Sequence, residues 1–163
     1  MVSVRIEEKP SFRIVGRKTW ISGQDNEQFG VFWDESHKNG LINTLRKLQN
    51  NTPGLITGSY VIGVSCVEKD PSDRAFDFFI ASETTSADSI DGLEYYTVPS
   101  CKWAIFSNSG DLPMSLINAE MYAFMEWLPS SQYKHANAPE LEVYPINGDK
   151  LVEFWLPIEG EDE

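Results

Sequence analysis

The sequence predicts an α+β fold: two βαββ units sharing one antiparallel sheet, with helices on one face. Three observations predict it. Apolar residues make up 41% and charged residues 23% of the 163 residues, the proportions of one folded domain. Extended and helical segments follow the order β-α-β-β and then repeat it. The segment Phe76-Asp77-Phe78-Phe79-Ile80 also matches Val152-Glu153-Phe154-Trp155-Leu156 in chemical type at each position, and Glu83 and Glu159 then fall in the same place. The pseudo-repeats span roughly 1–83 and 94–159 of a single domain, 1–163.

Each element has its own signal. Val4 to Ile21 is extended, with Phe12, Ile14 and Val15 as β-formers. Gly23 to Asn26 breaks the chain. Glu27 to Lys38 is predicted helical, because Phe29, Phe32 and Trp33 recur at helical spacing. Asn39-Gly40 stops it. Leu41 to Gln49 is a second helical stretch, with Leu41, Leu45 and Leu48 on one face. Ser59 to Val67 and Ala75 to Ala81 are strands joined by the turn Lys69-Asp70-Pro71-Ser72-Asp73, hence a hairpin. Glu94 to Val98 and Lys102 to Ser107 are extended. A helix runs from Asp111 or Leu112 to Leu128, with Pro113 tolerated in its first turn and Pro129 ending it. Ser130 to Ala138 is a loop. Glu140 to Pro145 and Lys150 to Leu156 form a closing hairpin around Asn147-Gly148, a strong two-residue turn signal.

Charge and composition exclude several functions. The net charge of −12 opposes contact with nucleic-acid phosphates, and it is lopsided: residues 1–60 carry eight basic and six acidic side chains, residues 61–163 five and nineteen. Cys66 and Cys101 stand in apolar stretches without CxxC or Cys/His spacing, as expected of buried thiols. His37 ends a helix and His135 lies in a polar loop, and neither has metal-ligand spacing. No GxSxG, HExxH or phosphate-binding glycine loop is present. The N-terminus lacks an apolar signal core, and the longest uncharged run, Thr52 to Val67, is interrupted by Pro, Gly and Ser. A cytoplasmic protein is expected, with no membrane contact, metal or cofactor.

The closing hairpin carries the chemistry. A two-residue turn at Asn147-Gly148 would set Glu142 against Glu153, Tyr144 against Leu151 and Glu140 against Trp155. Alternation then places Glu140, Glu142, Tyr144, Leu151, Glu153 and Trp155 on one side of the strands. Leu141, Val143, Val152, Phe154 and Leu156 take the other, which helices can cover. Opposed carboxylates are destabilising unless something compensates them. Acids mixed with aromatic rings suit an organic cation, which is attracted both to ring faces and to a desolvated carboxylate. The equivalent face of the first half carries Asp77 and Phe79, so the two halves would wall one cleft. Trp33 is a secondary candidate on the first helix.

An ordered set of segments resembles the GyrI-like small-molecule-binding domain, the effector-binding domain of AraC-type and MerR-type regulators. Pro10…Val15-Gly16 resembles its opening strand, Phe29…Trp33 its first-helix aromatics, and Tyr60-Val61-Ile62-Gly63-Val64 with Phe76-Asp77-Phe78-Phe79 its first hairpin. Leu93-Glu94…Val98-Pro99-Ser100…Trp103-Ala104-Ile105-Phe106, Glu126-Trp127-Leu128-Pro129 and Pro139-Glu140-Leu141-Glu142-Val143-Tyr144 follow in the family's order. The resemblance implies a pseudo-twofold axis, a ligand groove between the halves, and Glu142 of an E-x-Y motif as the pocket acid. The chain departs from those regulators in leaving no room for a DNA-binding helix-turn-helix beside the effector fold, so a free-standing member is expected.

Together these readings point to binding of a hydrophobic, cationic, drug-like small molecule, as a sensor linked to transcription regulation or as a sequestering protein. Glu142 is the counter-charge, Glu153 lies beside it, and Tyr144, Trp155, Phe79, Tyr60 and Trp33 line the groove. Two alternatives stand beside it. One is a hydrolase of reactive small molecules, with Glu142 as general acid or base and no other catalytic residue assigned. The other is a protein-interaction module, such as a gyrase modulator.

Overall fold

Pro10 divides the extended N-terminal segment, and the two strands beside it part company. The structure, a computed structural model, describes residues 2–22, 27–72, 74–85, 90–146 and 150–160. β1 (Ser3–Lys9) pairs with β6 (Cys101–Ser109), while β2 (Phe12–Ile21) lies between β4 (Phe76–Thr84) and β5 (Glu94–Val98). β3 (Ile62–Cys66) forms the expected hairpin with β4 and pairs on its other side with β8 (Glu140–Val143). β9 (Leu151–Glu159) lies between β8 and β6. The order is β1-β6-β9-β8-β3-β4-β2-β5, antiparallel throughout, and a short β7 (Lys134–His135) pairs with β9. Matched by chain order, β1 to β5, β2 to β6, β3 to β8 and β4 to β9, the sequence of strands is the same from either end.

Chain reach makes this sheet curl. Two residues separate Lys9 from Phe12, and two separate Val98 from Cys101. Each connection joins strands near opposite ends of the sheet, yet spans at most about 11 Å, three Cα–Cα steps. The ends therefore approach one another on the face away from the helices. Phe12, Ile14 and Val98 from one end form one cluster there with Trp103, Ile105 and Trp155 from the other, and Phe79, Leu141 and Val143 fill its middle.

The helices cover the opposite face in two separate groups. α1 (Glu27–Lys38) has the expected bounds and turns its Phe32 and Ser36 side inward. Gly40 stops it at φ 85°, a left-handed conformation that costs glycine little, and α2 (Leu41–Leu48) follows with Leu41 and Leu45 buried. Both pack over β2 and β4 through Val15, Ile21, Phe78 and Ile80. α3 (Met114–Tyr122) packs over β6 and β9 through Leu116, Ala119, Ala104, Phe106, Phe154 and Leu156.

Pro129 does not end this helix. A π-helical turn over Ala123–Trp127 intervenes, with the Leu128 amide bonded to the Ala123 carbonyl five residues back, and Pro129 sits at the start of α4 (Leu128–Ser130). The wider turn re-routes the carbonyls that a proline cannot serve. The Ser130 hydroxyl donates to the carbonyls of Glu126 and Trp127.

Candidate functional site

Between the two helical groups lie the central strands β3 and β8. On the helix side β3 offers Gly63 and Ser65, and β8 offers Glu140 and Glu142, with Gly63 opposite Glu142 and Ser65 opposite Glu140. Small and acidic residues thus stand where the flanking strands carry Phe78 and Phe154. On the helix side these two strands contribute small and acidic side chains and no bulky apolar one. A methyl group on Gly63 would stand 2.8 Å from the Phe78 ring and 3.0 Å from Oε1 of Glu142, so glycine is what admits both side chains.

Glu142 is only 9% exposed. Its Oε1 accepts a 2.8 Å hydrogen bond from the Tyr144 hydroxyl, and it forms no ion pair among the described residues. Burial pushes its carboxyl up to about 7, against the opposing pull of the Tyr144 hydrogen bond and with added repulsion from Glu140. Trp33, on α1, meets the Tyr144 ring edge-on at 5.7 Å and lies 6.5 Å from Phe78. Burial and the neighbouring Glu142 carboxylate raise the Tyr144 phenol well above its usual range, so it stays a donor.

Glu140, beside Glu142 on the same strand face, has the opposite fate. Arg74 donates two hydrogen bonds to it, both at 3.0 Å, and Nε2 of His135 lies 2.8 Å from its Oε2. Burial alone would raise its carboxyl. The bonds to His135 and Arg74 outweigh burial and hold it below the usual carboxylate range. Arg74 also lies over the rings of Phe76 and Phe124, and His135 stacks on Phe124. His135 thus lies in β7 and joins the hydrogen-bond network of Glu140 rather than a polar loop.

A third acid was not among the sequence-predicted site residues. Glu120 projects from α3 one turn before Phe124. Phe124 packs at 5.6 Å on Phe154, and Phe154 is the register partner of Glu142. Glu120 makes no hydrogen bond or ion pair among the described residues. Burial, Glu142 and Glu140 raise its carboxyl well above the usual range, against a weaker pull from Arg74. Its signal lay in the sequence, as an acid four residues after Leu116 and four before Phe124 on the apolar face of a helix.

The register of the closing hairpin corrects the expected facing. Glu142 pairs with Phe154, Val143 with Glu153 and Leu141 with Trp155, one position away from the pairing of Glu142 with Glu153. A slip of one residue flips a strand's faces. Glu140, Glu142 and Tyr144 therefore share the helix side with Phe154. Glu153 and Trp155 turn to the opposite side, where Phe79 also packs. The Asn147-Gly148 turn on which the expectation rested lies outside the described residues.

On that far side Glu153 is fully engaged. Its carboxylate accepts hydrogen bonds from Arg5 at 2.8 Å, Ser107 at 3.0 Å and the Trp155 indole at 3.0 Å. Tyr60 lies under the Arg46 guanidinium of α2, 4.2 Å from ring centre to Cζ. Of the seven residues expected at the site, the structure brings Glu142, Tyr144 and Trp33 together. Glu153, Trp155 and Phe79 stand across the sheet from them. Asp77, expected to help wall the cleft, lies near Lys18 at 3.7 Å.

Cys66 and Cys101 are free thiols, each pushed up to about 12 by burial. Among the described residues no group of His, Cys, Asp and Glu could hold a metal ion, and no helix is long and apolar enough to cross a membrane. A surface depression of about 340 Å³ between β2 and α1 is bordered by Trp20, Val31 and Glu35, and its acids, Glu27 and Glu35, are exposed.

Solved structures share this fold at low sequence identity. SAV2435, in a structure with tetraphenylphosphonium bound, superimposes with a TM-score of 0.79 at 19% identity, over 97% of this chain and 94% of that one. The integron cassette protein VCH_CASS2 from the mobile metagenome of Vibrio cholerae gives 0.72 at 20%, over 96% and 95%. EcmrR, in a complex with DNA, gives 0.67 at 16%, and this chain spans 58% of it. By sequence, no curated protein matches the chain. The family of integron-associated effector-binding proteins, Cass2, matches residues 5–158, and the chain belongs to that family.

Proposed function

We propose that the protein binds a hydrophobic organic cation in the groove between α1 and α3, with Glu142 as its counter-charge and Trp33, Tyr144 and Phe78 as its aromatic surroundings. One observation carries the reading. Two of the interior acids have cationic partners, Glu140 with Arg74 and Glu153 with Arg5. Glu142 is also buried and has none among the described residues. A buried carboxylate left without a cation is costly unless it is protonated or a ligand supplies the charge. The tetraphenylphosphonium bound to a protein of the same fold supports the same class of ligand.

Titration calorimetry with tetraphenylphosphonium and a neutral isostere tests this. The cation is expected to bind better, and Glu142→Gln to weaken it by roughly 1–3 kcal/mol, the scale of a lost charge-assisted contact, while the isostere is little affected. Equal affinities, or an indifferent variant, would remove the acidic pocket.

A second reading, hydrolysis of an electrophilic ligand, draws on Glu142 holding a proton near neutrality beside a phenol. Mass spectrometry of the ligand after incubation separates the two, since a binder returns it unchanged. As to output, a net charge of −12 speaks against direct DNA contact, and a sequence-specific gel shift by the purified protein would count against that part of the proposal.

A further inference from the structure

The internal repeat leaves open in one half a strand edge that it covers in the other. β1 covers β6 over seven residues, Ser3 to Lys9 against Ser107 to Cys101. β5, the counterpart of β1, covers β2 over only five, Glu94 to Val98 against Gly16 to Phe12. The rest of β2, from Arg17 to Ile21, pairs with β4 on one side, and among the described residues no strand lies along its other side. Backbone N–H and C=O groups of alternate residues face outward from that side, ready to pair with an added strand.

The surface depression of about 340 Å³ follows this open edge. Thr19, Trp20 and Ile21 line it in succession. Successive strand side chains point to opposite faces, so a depression that meets all three opens on the edge of the strand and not on one face. Its other wall is a single stripe of α1, Glu27, Val31 and Glu35, spaced four residues apart. Trp20 is 60% and Val31 55% exposed, an indole and a valine left to water on either side of an unpaired backbone. Four helical residues rise about 6 Å and two strand residues about 6.8 Å, so an extended segment laid along the trough meets the stripe with every second side chain.

Independently of the cation site, we propose that this trough docks an extended segment of another protein, which adds to β2 as a strand and sets a basic, an apolar and a second basic side chain against Glu27, Val31 and Glu35, with Trp20 beside its opposite face. The backbone edge supplies binding that does not depend on sequence, and the acid–apolar–acid stripe supplies the selection. Charge decides the occupant. A net charge of −12 attracts a basic segment and opposes a second copy of this chain, whose own α1 would come alongside with the same acids.

The probe is a synthetic peptide capped at both ends, with arginine, valine and arginine alternating with threonines, fluorescein-labelled and titrated into the protein by anisotropy. It should bind, and its analogue with glutamate for arginine should bind about tenfold or more weakly. Two N-methylated analogues separate strand addition from charge attraction, one methylated at the threonines and one at the arginines and valine, because these block opposite edges of the peptide. One pattern should cost about tenfold or more and the other stay within about threefold. Glu35→Lys should weaken the arginine peptide by about threefold or more, the scale of an exposed ion pair, and Trp20→Ala should weaken it as well. Glu126→Lys makes the same change of net charge at an exposed position of the π-helical turn and should leave affinity within about twofold. Circular dichroism checks the fold of each variant, and the peptide analogues decide the matter for any variant that fails it. Absence of binding, equal effects of the two methylation patterns, or equal losses in Glu35→Lys and Glu126→Lys overturn the proposal. Self-association of the wild type in sedimentation velocity that Trp20→Ala abolishes would assign the edge to a second copy and overturn it too.

Discussion

The Tyr144 hydroxyl donates to Oε1 of Glu142 at 2.8 Å, from two residues further along the same chain. This bond opposes the burial that raises the Glu142 carboxyl. In Tyr144→Phe the carboxyl loses its main stabilising contact, and its midpoint should move above about 7. Carbon-detected NMR titration of the glutamate side chains reads this directly, and an unmoved midpoint would show that the bond does not set the charge. Cation affinity at neutral pH should fall as well, because more of the groove is protonated.

Stability should depend on pH with a sign set by the same group. A carboxyl raised on folding keeps its proton where the unfolded chain has lost it. Its stabilising contribution is complete below about 4.5 and is lost as pH rises through about 7. Between those limits the ligand-free wild type should lose up to about 3 kcal/mol relative to Glu142→Gln in denaturant unfolding. Glu140, held low by its partners, acts in the opposite direction: its contribution is present above the ordinary carboxylate range and lost on acidification. Parallel pH profiles for wild type and Glu142→Gln would refute the assignment.

Arg74 should matter for stability through Glu140. Arg74→Met leaves a carboxylate 3% exposed with only His135 beside it, and should cost about 2–3 kcal/mol, discounted because the arginine itself is one-third exposed. Adding Glu140→Gln should recover most of that loss. A double variant as unstable as the single one would mean that Arg74 acts through its packing on Phe76 and Phe124 instead.

Gly63→Ala should damage the groove without touching a charge. The added methyl meets the Phe78 ring and Glu142 at 2.8 and 3.0 Å. A loss of about 1–3 kcal/mol in stability is expected, the range for overpacking, together with weaker tetraphenylphosphonium binding. Unchanged calorimetry would show that both neighbours shift freely.

Much of this architecture was legible in the residues. Phe29, Phe32 and Trp33 gave α1 its bounds, and the match of Phe78 with Phe154 and Phe79 with Trp155 anticipated that each pair occupies equivalent faces. Glu142 and Tyr144 were identified by their strand alternation. Their partners were misplaced because a hairpin's register depends on its loop, and one residue of slip carried Glu153 and Trp155 across the sheet. Glu120 carries a weaker signal, because a single carboxylate on the apolar face of a helix does not alternate with rings as the strand acids do. Pro129 has the local signature of a helix terminator, because propensity does not reveal the π-turn that precedes it.

The lodging of β1 against β6 and of β5 against β2 means that each half of the chain completes the other's sheet. A protein cut between β4 and β5 would yield two pieces that are individually deficient, each holding the strand its counterpart lacks. Such pieces should recover the fold only when mixed, as mutual templates. In the intact chain the same interlock ties the two helical groups to one shared sheet, so neither half can part from the other without breaking a strand pairing.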